Sequence, residues 1–561
     1  MLPRTSRRTS GSPLSPNCDP ERLSASEPGA VAGPVSLARS TAAMTVGTVI
    51  SRVTGVVRLA VLAATLGVTE TRLTDSYNLA NMAPNILYEL VLGGVITAVF
   101  VPVFVELLRK DDHQHAWQDI SGVVTWSLLA LSILAVIGVL AAPWIAGFYA
   151  SRLEGAAQAD QQRVIEFLLR LFIPQVVLYG IYFMSSALLN ARGRLVLPSY
   201  TLIVNNLVLI VVLIVFQRSF GTPDIATATT PQLLLLGLGT TLSVAPGGLL
   251  LLPYVFKLGS FRPSLRIDPA LWRKLLRLST FIGGTVAANQ IGYLVVQWLS
   301  NGTQGGYTAY ISAFTFFLLP IGLFVVSLTT AMAPSLSHHA LSNDWDLFKD
   351  DLSRGVRAIL FVMMPATAGF LIVAHPLVEA FLEHGVVTGT STALIVDVLT
   401  FFVLGLVQFS LFQVLVRGFY SMQNGRTPFL INCVVIALNI AVNVPMYRWL
   451  GIPGLAAGHA LAYTVGVVLL TRSLSGVVGA FDLRKVGLSF AKIALATAGM
   501  AALAWGTLQV FDAAVGSDGT ARYLAGLVAA TVVGAVAYLG LSNLLKIEEF
   551  QLVRRALLKR G

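Results

Sequence analysis

Apolar stretches of about 20 residues recur from Ala42 almost to the C-terminus of this 561-residue chain. At ~1.5 Å per residue, each is long enough as a helix to cross a ~30 Å hydrocarbon core. A soluble domain has no interior large enough for so many of them, so the bilayer is the solvent. Composition agrees: 55% of the residues are hydrophobic and 12% charged, against roughly 25% charged in a soluble domain. Lipid satisfies no backbone polar group, so spans of this length are helices. About fourteen can be counted, which makes the chain an all-α integral membrane protein.

The net charge of +11 does not mark a nucleic-acid binder, because the basic residues sit in short runs between apolar segments. That is the pattern of membrane topology rather than of a DNA-binding face. Arg109-Lys110, Arg192 with Arg194, Arg273-Lys274, Arg484-Lys485 and the Arg554–Arg560 tail all fall on one side if the N-terminus is cytoplasmic. An even number of spans then returns the C-terminus to the cytoplasm. Cys18 lies in a polar tail and Cys433 in an apolar segment, so they cannot pair, and neither has a metal-ligand neighbour at zinc spacing. No cofactor or metal is expected, and no residue pattern specifies a coupling ion.

The organisation expected from these signals is a disordered cytoplasmic tail over 1–40, a first lobe of six helices over 41–256 and a cytoplasmic amphipathic linker over 257–278. A second six-helix lobe follows over 279–473, then two further helices within 474–545 and a basic cytoplasmic tail over 546–561. In the linker, Asp268 is the expected N-cap and Pro269 the first residue of an interfacial helix; a plain basic connector is the alternative. An internal repeat supports the two lobes. Asn190-Ala-Arg-Gly-Arg-Leu-Val-Leu-Pro198 precedes a segment with Asn205-Asn206, and Asn424-Gly-Arg426-Thr-Pro428 precedes one with Asn439 and Asn443. Arg52-Val-Thr-Gly55 in the first segment has its counterpart in Asn289-Gln-Ile-Gly292 in the seventh. Parallel repeats of this kind are one architecture of transporters that alternate access.

Two arginines, Arg52 and Arg58, lie inside the first span. A charge at that depth costs on the order of 3 kcal/mol, so such residues face a wet cavity or an anionic partner. Six residues separate the two by about 9 Å along the axis and about 120° around it. Long side chains and a bend at Gly55 would let both reach one space; a structural ion pair with Glu89 or Asp75 is the alternative. In the second span Asn78, Asn81, Asn85 and Glu89 recur at three- and four-residue spacing and share one face. Pro84 interrupts the backbone ladder within that stripe. The stripe lines a cavity or else hydrogen-bonds neighbouring helices as packing.

Several of these motifs together resemble the MurJ (MviN) family of lipid II flippases. They are Ser51-Arg52-x-x-Gly55-x-x-Arg58, Thr74-Asp75, Pro84-Asn85, the Gly93-Gly94 region ending in Phe100-Val-Pro102, Pro334-Ser-Leu-Ser and Gly418-Phe-Tyr-Ser-Met-Gln-Asn-Gly-Arg-Thr-Pro428. The resemblance runs in order from about residue 40. It implies fourteen helices in two pseudo-symmetric lobes around a central cavity, with the last two, 487–510 and 521–545, forming a groove for a polyprenyl tail. It implies a plasma-membrane transporter, not an enzyme, that flips undecaprenyl-pyrophosphate-linked peptidoglycan precursor from the inner to the outer leaflet. Cell-wall synthesis or division proteins are implied partners.

Carried onto this chain, the family's paired cavity arginines fall on Arg52 and Arg58 and its aspartate on Asp75. Asn78, Asn81, Asn85 and Glu89 join them as candidate substrate-binding residues, and Gly55, Pro84 and Pro320 are candidate hinges. The family's arginine in helix 8 is missing, since Phe314 and Thr315 stand there. Arginine's planar fork suits a pyrophosphate. An inside-negative potential, or alternatively an ion gradient, would drive its outward movement, and no Gly-x-x-x-x-Gly-Lys-Ser/Thr loop signals a nucleotide motor. Competing readings are an exporter of drugs or another lipid-linked glycan on the same scaffold, a polytopic glycosyltransferase or acyltransferase, and a structural subunit.

Overall fold

A computed structural model describes residues 34–92, 100–109, 113–194, 196–514 and 520–551. The regular secondary structure of the described residues is all helical, with no strand. The first half comprises α1 (Pro34–Leu66), α2 (Arg72–Leu92), α3 (Val101–Leu108), α4 (His113–Leu140) and α5 (Ala142–Ala150), then α6 (Gly155–Phe172), α7 (Gln175–Ala191), α8 (Val196–Phe220), α9 (Thr230–Leu249) and α10 (Leu252–Phe256). The second half begins with α11 (Pro269–Ser300), α12 (Gly306–Pro320), a π turn at Ile321–Val325 and α13 (Val326–Leu341). It continues through α14 (Trp345–Leu382), α15 (Gly389–Leu404), α16 (Leu406–Ser421), α17 (Arg426–Leu450) and α18 (Ile452–Val478). Two further helices, α19 (Leu483–Ala514) and α20 (Thr520–Leu544), pair with each other and pack on α14.

Among the described residues, eleven helical segments are long and apolar enough to span a bilayer, and the pair α15–α16, bent by 44°, makes a twelfth if it is one span. The remaining two expected spans fall on α2 with α3 and on α11. Several spans are broken where the sequence removes a backbone donor: Pro174 separates α6 from α7, and Pro320 ends α12 at the π turn. Helix α1 runs through Gly55 without interruption, and α2 through Pro84. Asp268 caps α11 as expected, accepting from the Ala270 N–H at 2.9 Å. The helix it starts is no separate interfacial element: it continues unbroken to Ser300, with no proline after Pro269 and through Gly283-Gly284. Helix α1 begins at Pro34, inside the stretch expected to be a disordered tail. Cys18, Gly93-Gly94, Lys110 and the Arg554–Arg560 tail lie outside the described residues.

Helices pack mainly within α1–α10 and within α11–α18. The two halves share a contact, but not through the asparagines matched in sequence: Asn432 takes the place of Asn206, while Asn439 and Asn443 bond each other. Asn206 on α8 donates to the Ser51 carbonyl and Thr54 Oγ1 of α1, and Asn432 on α17 donates to Asn289 Oδ1 of α11. The turns before α8 and α17 also match. Arg194 N–H reaches back to the Leu189 carbonyl with Gly193 at φ 73°, and Asn424 N–H to the Phe419 carbonyl with Gln423 at φ 57°. Both are helix ends closed by a left-handed residue.

Candidate functional site

A cavity of about 550 Å³ lies between the two halves. Helix α1 contributes Ser51, Arg52, Gly55 and Arg58; α7 contributes Tyr182, Ser186 and Asn190, one face at four-residue spacing. Helix α8 adds Ser199 and Asn206, and among the described residues of the second half Thr315, Leu318 and Leu319 of α12 reach the lining. The polar wall therefore belongs to the first half. Arg52 is exposed and Arg58 half-buried, and neither guanidinium has an ion pair or hydrogen bond among the described residues. The two converge on one space although α1 is unbroken, because the side chains are long enough to bridge the angle between them. Tyr77 and Tyr179 lie within electrostatic reach of Arg58. Thr315 stands in the cavity with its hydroxyl turned back to the Ile311 carbonyl, so α12 offers no cation there.

A second, apolar cavity of about 700 Å³ adjoins the first. Its walls are α1, α12, α14, α19 and α20, with Val53, Leu323, Phe370, Met500, Leu527 and Tyr538 among the lining residues. Arg52 lines both cavities. The π turn after Pro320 places Gly322 beside it, where an added Cβ would sit 3.4 Å from the guanidinium. Nothing in the residue spacing pointed to Gly322, or to the Ser186–Asn190 wall.

The other expected site residues lie elsewhere. None of Asp75, Asn78, Asn81, Asn85 and Glu89 lines either cavity. Asp75 is fully buried at the seam between the halves. It accepts from the Gly305 N–H (2.7 Å), the Thr308 N–H (2.9 Å) and the Thr308 hydroxyl (2.6 Å), and so caps α12 from the opposite half. Asn78 donates to Thr308 Oγ1 in the same cluster. Asn85 bonds back to the Asn81 carbonyl, and Glu89 is half-buried with no ion pair among the described residues. The stripe shares a face by its spacing, and α2 as a whole packs against α6, α7, α11 and α12.

The seam closes one end of the bundle, about 12 Å beyond Arg58 and 21 Å beyond Arg52 along α1. Arg72 donates to the Asn301 carbonyl and Gln304 to the Thr69 carbonyl. A buried amide network joins Tyr149 and Gln161 to Gln297 and Asn301. Gly305 makes the contact possible: it adopts φ 74°, and a Cβ would lie 2.6 Å from the Val68 carbonyl oxygen. Gly305→Ala should therefore oppose closure by about 2 kcal/mol or more, through backbone strain and that clash. An increase in labelling of a cysteine at the buried Val387 would register it; labelling equal to that of the parent would refute the assignment.

Glu70, in the turn between α1 and α2, makes the second carboxylate latch. It accepts from the Val68 N–H (2.6 Å), the Thr388 N–H (2.8 Å) and hydroxyl (2.7 Å), and Ser391 Oγ (2.8 Å) at the start of α15. Burial alone would push its carboxyl up, but the hydrogen bonds from Thr388, Val68 and Ser391 outweigh it and hold the group below the ordinary 4.5. Because the closed seam depresses this value, the latch is fully present above the pH at which the freed carboxyl titrates. It is lost as pH falls through the lower, closed-state value. Acidification below about pH 4.5 should raise Val387→Cys labelling, and Glu70→Gln should remove that component.

The family model "Lipid II flippase MurJ" matches residues 62–525. A "Probable lipid II flippase MurJ" of Vibrio cholerae is 27% identical over 470 residues, covering 82% of this chain and 87% of that protein. One from Thermotoga maritima is 26% identical over 524 residues, covering 93% and 99%. Among solved structures, "Lipid II flippase MurJ, inward closed conformation" superposes with a TM-score of 0.71 at 21% identity, covering 89% of this chain and 98% of that one. An inward-facing multidrug resistance MATE family transporter superposes with a TM-score of 0.62 at 12% identity, covering 80% and 99%. With the repeated lobes, the central cavity and a family match that spans most of the sequence, this chain belongs to the lipid II flippase MurJ family.

Proposed function

We propose that this protein moves lipid II, the undecaprenyl-pyrophosphate-linked peptidoglycan precursor, from the inner to the outer leaflet by alternating access. The observation that carries the reading is the position of Arg52, shared by a polar cavity and an apolar groove. A pyrophosphate joins a polar head to an isoprenoid tail. A cargo with its anion at Arg52 and Arg58 would place its sugars against Ser186 and Asn190 and its tail between α14, α19 and α20. A cationic drug would find two unpaired guanidiniums in its way.

The seam held by Asp75 and Glu70 is then the external gate, and the state described here is closed to the outside. Both chain termini are cytoplasmic, as the distribution of Lys and Arg supports. An inside-negative potential contributes about 2.3 kcal/mol per charge per 100 mV to outward movement of the anion. Depletion of the chromosomal copy should strand lipid II in the inner leaflet, and expression of this chain should restore its accessibility from outside. Normal accessibility after complete depletion, or failure of a well-expressed wild-type chain to restore it, would overturn the assignment.

A further inference from the structure

The segment from Lys257 to Asp268 has no regular secondary structure, yet it is pinned along α4. Arg262 N–H donates to Ser121 Oγ and Ser264 N–H to Thr125 Oγ1, both at 3.2 Å, and Trp126 Nε1 donates to the Leu265 carbonyl at 3.0 Å. Two glycines let the chain lie flat: a Cβ on Gly122 would sit 2.4 Å from the Arg266 carbonyl oxygen, and one on Gly259 would enter the Trp117 ring. Leu258, Phe261, Ile267 and Leu271 turn inward onto a buried cluster that includes Trp117, Leu251 and Val255. The segment is an amphipathic strap leading into the first turns of α11.

Its outward face is unusual in two respects. Lys257, Arg262, Arg266 and Arg273 are all exposed, and none forms an ion pair among the described residues. The only carboxylate between 257 and 273 is Asp268, which is committed to capping α11. Beside these cations, Leu265 is 63% and Phe256 56% exposed, and Trp126 and Trp272 face each other at 6.1 Å, both partly open. Topology alone accounts for positive charge at this end of the bundle. It does not account for a backbone pinned to α4 that holds four cations, without ion pairs among the described residues, beside exposed aromatic and aliphatic side chains.

We propose that the strap is a binding site for anionic glycerophospholipid in the leaflet at this end. Its guanidiniums would receive the head-group phosphates while Phe256, Leu265 and the tryptophan pair enter the acyl boundary. Arginine forks suit phosphate oxygens, and indole rings favour the membrane interface. This site is separate from the central cavity, and the inference does not depend on what that cavity carries.

The test uses the full-length protein in detergent micelles with phosphatidylcholine, titrated with phosphatidylglycerol, and native mass spectrometry to count retained lipids. Each interfacial cation is worth roughly fivefold in anionic-lipid binding at low salt. The wild-type protein should therefore retain phosphatidylglycerol on the order of tenfold over phosphatidylcholine, after allowance for screening. Arg262→Gln/Arg266→Gln/Arg273→Gln should approach parity, with unchanged thermal stability in phosphatidylcholine alone. A second variant, Lys257→Gln/Arg262→Gln, leaves α11 untouched and should lose part of the preference. An undiminished preference in both variants would overturn the proposal, as would a wild-type protein with no preference. Glycerol phosphate competing as well as the intact lipid would also overturn it, by identifying a soluble-phosphate site.

Discussion

Arg58→Ala is expected to abolish rescue of a depleted strain, with lipid II accessibility from outside reduced roughly a hundredfold relative to the wild-type chain. The expectation rests on an unusual economy in the cavity. Among the described residues, Arg52 and Arg58 supply its cationic charge, Thr315 contributes none from α12, and no carboxylate pairs with either guanidinium. Because they lack internal partners, truncation leaves no buried counter-charge behind. Protein abundance and melting temperature should therefore change little, as for substitutions away from structural networks. Arg58→Lys keeps the charge but loses the planar fork, so it should fall between the wild type and alanine. Arg52→Ala should fail similarly and should in addition weaken retention of the lipid tail, because Arg52 borders the groove as well. Full accessibility with well-expressed alanine variants would remove the arginines from the mechanism.

Asp75→Ala should shift the protein away from its closed state by about 3 kcal/mol, a population change on the order of a hundredfold. The carboxylate accepts two backbone N–H groups and a hydroxyl at the start of α12, where the helix dipole also favours negative charge. Its loss leaves those donors buried without an acceptor. Asp75→Asn preserves shape and one acceptor oxygen, so a smaller shift of about 1–2 kcal/mol is expected. Labelling of Val387→Cys from outside measures both. The same assay separates a gate residue from a cargo ligand. If Asp75→Ala leaves labelling unchanged yet lowers lipid II binding, the residue contacts cargo and the latch assignment fails. Transport should fall in the alanine variant in either case, so transport alone does not distinguish them.

Much of the architecture is legible in the sequence. Helical spans follow from hydrophobic length, since lipid leaves the backbone no other way to satisfy itself. The repeat was visible as short matching motifs and returned as matched turns, whereas the asparagine contact equivalent to that of Asn206 comes from Asn432 rather than from Asn439 or Asn443. Arg52 and Arg58 stood out because a charge inside a span is costly wherever it points. The asparagine stripe was a different case. Spacing established that Asn78, Asn81, Asn85 and Glu89 share a face, but periodicity carries no information on what that face meets.

Asp75 marks the boundary of what sequence can determine here. Its burial and its role depend on Gly305 and Thr308, 230 and 233 positions away, and on the left-handed backbone at Gly305 that lets the halves approach. Glu70 likewise finds Thr388 and Ser391 more than 300 residues on. The chain by itself determined the solvent, the helices, their repeat and the presence of two cations inside a span, because these follow from local composition and the cost of charge in lipid. Only the tertiary structure decided which polar residues line the cavity, which latch the seam, and that Arg52 borders a groove as well as a cavity. Those are contacts between distant segments, set by packing rather than by any local preference.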